Sequence, residues 1–260
     1  MAASIRPIDL NCDMGESFGA YTIGADAEVM GNITSANVAC GFHGGDPGVM
    51  RRTVRLARDA GVAVGAHPGF QDLVGFGRRD VRATPQEVED MVLYQIGALD
   101  AIARSEGVRL QHVKAHGALY NMAARERPLA DAIARAVHAF DPFLLLYVLP
   151  DSELQRAGEA LGLSVALEGF ADRAYEPDGS LTPRSRAGAV IHDASVVVER
   201  VVRMAREARV AATDGSEVAM PVATICTHGD TRGAANLTRE LRAGLERAGI
   251  PVAAPGRAGG

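Results

Sequence analysis

At 260 residues, 47% hydrophobic and 23% charged, the chain has the make-up of a globular protein long enough to bury a sizeable core. A net charge of −5 leaves no basic stripe to neutralise phosphates, which excludes nucleic acid as the expected partner, and no apolar run reaches the length of a membrane span. Three Cys without close spacing point to neither a disulfide framework nor a zinc knuckle; with no basic-then-apolar start, the expected compartment is the cytoplasm.

The first predicted strand is Ile5–Cys12, which runs into Asp13 and Glu16. Ala25–Asn32 reads as a short helix and Ser35–Cys40 as a second strand, closed by Gly41-Phe42-His43-Gly44-Gly45-Asp46. Asp46 and Pro47 are a helix N-cap and first-turn proline, so a helix should run from Pro47 to Ala60 and stop at Gly61. Val62–Ala66 is a third strand with the exit His67-Pro68-Gly69, and Phe70–Arg82 a loop. Thr84-Pro85-Gln86-Glu87 has the capping-box spacing and opens a long helix to about Glu106. Gln111–His116 is the fourth strand, followed by a helix over Pro128–Ala139. Phe143–Leu149 is the most apolar run, as a strand buried on both faces requires. A helix over Asp151–Leu161, a strand over Ser164–Leu167, a long loop over Ala174–Val190 and a helix over Ala194–Arg209 come next. Pro221–Cys226 is the last strand and Arg232–Ala248 the last helix, and the tail from Pro251 should fray.

Strand and helix alternate seven times without a linker, which means parallel βαβ units. The fold expected is α/β: a TIM-like (β/α) barrel of seven strands, one catalytic domain over residues 1–250 and a flexible tail over 251–260. No strand exit carries a dinucleotide-binding glycine fingerprint, and polar residues close nearly all strands rather than one crevice. Four exits repeat a pattern of histidine followed by a helix breaker: His43-Gly44, His67-Pro68, His116-Gly117 and His228-Gly229. In a barrel all strand C-termini meet at one mouth, where catalysis sits, so these residues should converge with Asp13, Glu16, Glu168, Asp172, Arg173 and Asp230.

Lys114 stands at the centre of that set. It is the one lysine in a chain whose other basic residues are all arginine, which marks a place where a compact ammonium is needed. In a strand, His112, Lys114 and His116 share a face. Histidines beside carboxylates can move protons near neutral pH, and a desolvated lysine can act as a base or an electrostatic clamp. The same groups could hold a divalent metal, but no tight metal-binding spacing such as H-E-x-x-H is present, so no metal is assigned. There is no phosphate-binding loop of the G-x-x-x-x-G-K type. Among the cysteines, only Cys40 near His43 could be examined as a nucleophile.

Taken together, Asp9-Leu10-Asn11-Cys12-Asp13-Met14-Gly15-Glu16, Asn37 through Asp46, Gly65-Ala66-His67-Pro68, Val113 through Asn121, Glu168 through Arg173 with Tyr175, and Thr227-His228-Gly229-Asp230 resemble the LamB/YcsF family over nearly the whole chain. The resemblance implies a barrel of the glycoside hydrolase/deacetylase type. It implies a 5-oxoprolinase reaction, the hydrolytic opening of the 5-oxo-L-proline lactam to L-glutamate, with ATP consumed by a complex that includes subunits B and C. On that basis Asp13, Glu16, His43, His67, Lys114, His116, Glu168, His228 and Asp230 are expected in catalysis, with Asp13 or Glu168 as general base, and Asn11, Asp46, Asp172, Arg173 and Tyr175 in substrate binding. Lacking a phosphate loop, the chain is expected to handle an activated lactam rather than to make it, and Lys114→Ala to cut activity without unfolding the protein. A metal-dependent deacetylase or amidohydrolase, and a non-catalytic lactam-binding subunit, remain as alternatives.

Overall fold

Strand β1 (Asp9–Met14) is buried along its whole length, yet it alternates strictly. Leu10, Cys12 and Met14 pack into the apolar core, while Asp9, Asn11 and Asp13 make polar contacts on the opposite face. A strand with two buried faces belongs in a parallel sheet covered by helices. In the computed structural model, which describes residues 6–228 and 233–256 and only the backbone of His228, that sheet closes on itself. Its strands are β1, β2 (Ser35–Ala39), β3 (Ala63–His67), β4 (Leu110–Val113), β5 (Leu145–Val148), β6 (Val165–Phe170) and β9 (Thr224–His228). All pairings are parallel, and β1 closes the ring on β9, with Asp13 opposite Asn37 on one side and His228 on the other.

The helices start where local chemistry tells them to. A single turn, α1 (Asp26–Val29), follows β1. Asp46 caps α2 (Pro47–Ala60) by accepting from the Val49 N–H at 2.8 Å, and Gly61 ends it in the left-handed conformation at φ 67°. Thr84 and Glu87 form a reciprocal capping box on α3 (Pro85–Ser105). The buried faces of α2 and α3, with those of α5 (Arg127–Phe140), α6 (Glu153–Ala160), α7 (Ala194–Glu207) and α8 (Ala234–Arg247), form one continuous apolar layer around the barrel.

Four features differ from the sequence expectation. The regular fourth strand stops at Val113, but the chain stays extended beside β3, with Lys114 N–H donating to Ala66 O at 2.9 Å and His116 N–H to Pro68 O at 2.8 Å. A short helix, α4 (Gly117–Ala123), follows at once; a glycine start gives no capping signal. A hairpin of β7 (Arg209–Ala211) and β8 (Glu217–Ala219) occupies the stretch after α7, turning at Asp214-Gly215. Residues 251–253 do not fray: Ile8 N–H donates to Pro251 O and Ala253 N–H to Ile8 O, at 2.9 and 3.1 Å, stitching this segment beside the entry to β1.

Candidate active site

The barrel interior is polar in layers. Deepest, Asp9 accepts from Thr34, Ser35, Tyr147 and Thr224. Next, Asn37 donates to Asn11 and Asp13 at 2.7 and 2.8 Å, Asn11 donates to Glu168 at 3.0 Å, and His112 Nε2 sits 2.7 Å from Asn37 Oδ1. His112 stacks on Tyr147 at 4.2 Å, and its place opposite β3 requires Gly65, since a Cβ there would lie 2.1 Å from its Nε2. Burial and the neighbouring Lys114 push the His112 pKa down to about 3, so it is a neutral packing group.

Lys114 crosses this layer at 2% exposure. Its Nζ lies 2.9 Å from Asp13 Oδ1, 3.0 Å from Glu168 Oε1, 3.3 Å from Asn11 Oδ1 and 2.9 Å from the Cys226 Sγ. Burial alone would drive the ammonium towards neutrality, but Asp13, Cys226 and Glu168 more than offset it and hold its pKa well above the ordinary lysine value. Lys114 is therefore a fixed cation that neutralises two carboxylates, not a proton acceptor. The thiols are inert: burial pushes Cys40 up to about 12, and raises Cys12 and Cys226 well above the usual range. That removes Cys40 as a nucleophile.

At the mouth, Asp13 turns its other oxygen to His67 Nε2 at 3.3 Å, while His67 Nδ1 lies 2.7 Å from the Lys114 carbonyl. His116 Nδ1 is 3.0 Å from His67 Nε2, and its Nε2 is 2.8 Å from the Phe76 carbonyl. His43 stacks flat on His116 at 3.6 Å, and Glu16 Oε1 lies 3.6 Å from His43 Nε2 and 3.7 Å from His116 Nδ1. Burial, then the neighbouring histidines, hold the pKa values of His43 and His116 well below the ordinary value. Gly69 and Gly77 wall the stacked pair; a Cβ on either would come within 2.7 Å of His43.

Above Asp13, His67, Lys114 and His116 opens a cavity of about 420 Å³. Tyr120 and Phe170 line it, and Arg78, Arg125, Arg173 and Arg184 surround it with positive charge. Tyr120 is a site residue that the sequence reading passed over. Its hydroxyl is buried and faces Glu168. Burial and the proximity of Glu168 raise its pKa well above the tyrosine norm, so it is a donor.

The LamB/YcsF family model matches residues 8–258 of this sequence. The chain belongs to the LamB/YcsF family. Among similar proteins, one from Symbiobacterium thermophilum, named as the A subunit of 5-oxoprolinase, is 59% identical, the match covering 97% of each chain. One of the same name from Bacillus subtilis is 53% identical over 95% of this chain and 96% of its own. A crystal structure titled lactam utilization protein, from Thermus thermophilus, superposes with a TM-score of 0.91 at 51% identity, covering 96% of this chain and all of that one. A peptidoglycan N-acetylglucosamine deacetylase domain from Eubacterium rectale shares the fold alone, at TM-score 0.50 and 12% identity over 96% of this chain and 89% of that one.

In this LamB/YcsF chain, the structure brings together most of the residues singled out from sequence. Asn11, Asp13, His67, Lys114, His116 and Glu168 form one connected network, and Glu16 and His43 adjoin it. Asp46 is not among the cavity residues; it caps α2 and accepts from Gly19 N–H at 2.9 Å. Tyr175 is fully buried behind the site, where its hydroxyl accepts from Phe170 N–H at 2.7 Å. Arg173 borders the cavity but spends its guanidinium on the carbonyls of Thr182 and Ala189, bracing the loop after β6. Burial and Arg184 lower its pKa to about 10. Asp172 is buried, and its carbonyl accepts from Ile191 N–H. The side chain of His228 and all of Asp230 lie outside the described residues.

Proposed function

We propose that this chain is the A component of a 5-oxoprolinase and that its barrel mouth carries the opening of 5-oxo-L-proline to L-glutamate, within an ATP-consuming complex with subunits B and C. The observation that carries the reading is identity of 51–59% over nearly the full length to proteins named as the A component of 5-oxoprolinase, with Asp13, His67, Lys114 and His116 lining one cavity. No described helix is long and apolar enough to cross a membrane.

A lactam is a stable amide, so ring opening by water needs the amide oxygen activated, and phosphorylation does this. Water adds at the activated carbon and the ring C–N bond breaks, the nitrogen taking a proton. A second water then releases phosphate from the acyl phosphate left behind. The chain's own groups suit those steps. Asp13, at the cavity floor and backed by Lys114, is the base that takes the proton from water. Lys114 pairs with both Asp13 and Glu168 and fixes their place, and so acts as a positioning residue. Tyr120 lines the cavity and its hydroxyl would donate to a reacting oxygen, and the arginines around the mouth complement substrate carboxylate and phosphate. Holding these groups in a dry site is what makes their charges effective.

The test is reconstitution. Glutamate formation from 5-oxoproline and ATP should require this chain together with its B and C partners. Undiminished glutamate from B and C alone would refute the proposal.

A further inference from the structure

At the floor of the mouth, the hydrogen-bond pattern leaves a charge unaccounted for. The partners of His67 Nδ1 and His116 Nε2 are the carbonyls of Lys114 and Phe76, which only accept, so both nitrogens carry the proton. The facing nitrogens, His67 Nε2 and His116 Nδ1, are therefore both lone pairs in the neutral rings, and they stand 3.0 Å apart. Two lone pairs are not brought that close without a positive centre between them. His43, fully buried beside them, has neither ring nitrogen in a hydrogen bond among the described residues, a costly state for an imidazole. Glu16 Oε1 faces both His43 and His116 at 3.6 and 3.7 Å, and the four donor atoms lie within 4.8 Å of one another.

We propose that Glu16, His43, His67 and His116 bind one divalent transition-metal ion of the zinc type. Ligand atoms around tetrahedral zinc stand about 3.3 Å apart, and the spacings of 3.0, 3.6 and 3.7 Å straddle that value. Three imidazoles and one carboxylate suit zinc or its first-row neighbours rather than magnesium or calcium. Backbone carbonyls that fix the outer N–H of two histidines are the usual support behind metal-ligating imidazoles. A shared proton would satisfy His67 and His116 only, leaving the buried His43 nitrogens unexplained. A metal bonds in the plane of an imidazole, so His43, now parallel to His116 at 1°, must tilt to join; His67, His116 and Glu16 are already convergent. The site opens to the cavity through His67 and His116. The inference stands on this geometry and not on the 5-oxoprolinase reading.

The test uses the full chain without substrate. Native protein titrated with Zn²⁺ should bind one equivalent and melt at higher temperature, and Co²⁺ should give a visible ligand-field band of nitrogen–oxygen coordination. His67→Gln and His116→Gln should each weaken binding by at least the roughly 10–100-fold that outer-shell partners alone command. His43→Gln should weaken it less, and His138→Gln, on the exposed face of α5, not at all. Native protein that binds no equivalent of Zn²⁺ or Co²⁺ at millimolar concentration overturns the proposal and leaves a shared proton between His67 and His116. So does binding that His67→Gln and His116→Gln leave unchanged while both remain folded by circular dichroism.

Discussion

Replacing Lys114 with Met keeps the volume and removes the charge. Asp13 and Glu168, whose oxygens lie 2.9 and 3.0 Å from the ammonium, are then two buried carboxylates facing an apolar chain. Removing one partner of a buried ion pair costs about 3–5 kcal/mol. Set against a total stability of about 5–15 kcal/mol, the variant should fold but melt roughly 6–20 °C lower at neutral pH. The sequence alone led to the expectation of lost activity in a chain that still folds; two carboxylates on one ammonium add a stability loss to it. The loss should depend on pH. In the native chain the folded pKa of Lys114 is raised, so its contribution is complete below the unfolded value of about 10.4 and fades as pH rises through the folded value. In Lys114→Met two buried carboxylates are deprived of their cation, and burial without a partner charge favours the protonated form of a carboxyl group. That variant gains stability as pH falls and the carboxylates protonate. Urea unfolding of both proteins at pH 5 and pH 8 measures this. A loss under about 1 kcal/mol at pH 8, or one equal at the two pH values, would refute the argument.

Tyr120→Phe removes a buried hydroxyl whose neighbour is Glu168, so stability should move by no more than about 0.5–1.5 kcal/mol while turnover of the complex falls more than about tenfold. Unchanged turnover would take Tyr120 out of the chemistry. Asp46→Ala should cost about 0.5–2 kcal/mol as a lost helix cap, with KM unaltered; a raised KM would make Asp46 a substrate contact after all. The Val49 and Gly19 N–H groups depress the Asp46 pKa, so this stability is present above about pH 3.9 and disappears as pH falls through the folded value; melts in acid should converge for the two proteins. Gly65→Ala should destabilise by about 1–3 kcal/mol through its clash with His112, and adding His112→Ala should recover part of that loss; strictly additive melts would contradict the proposed contact.

How much of this was readable beforehand depends on range. Asp46-Pro47 and Thr84-Pro85-Gln86-Glu87 placed two helix starts correctly, because caps are local chemistry. The two-residue period put His112, Lys114 and His116 on one face even though the regular strand ends at Val113. The β7–β8 hairpin had a signal in Asp214-Gly215, masked by the apolar helix before it. Asp46 and Tyr175 share motif blocks with residues of the site, His43 and Phe170, and nothing in one dimension separates a cap or a pillar from a ligand contact. Glu16, His43, His67 and His116 were expected to meet at the mouth, but their grouping as one set of metal ligands was out of reach for another reason. Its members are spread over 101 positions and meet only when the barrel closes, with no short spacing to betray them.

The most direct measurement is glutamate release by the reconstituted complex carrying Asp13→Asn. The substitution keeps the shape of the side chain and leaves Lys114 its contact with Glu168. If Asp13 at the barrel mouth is the base for ring opening, glutamate formation should fall by about 10²–10⁴-fold in a chain that still folds. Turnover within a fewfold of the native complex would contradict that claim and move the chemistry out of this barrel's mouth.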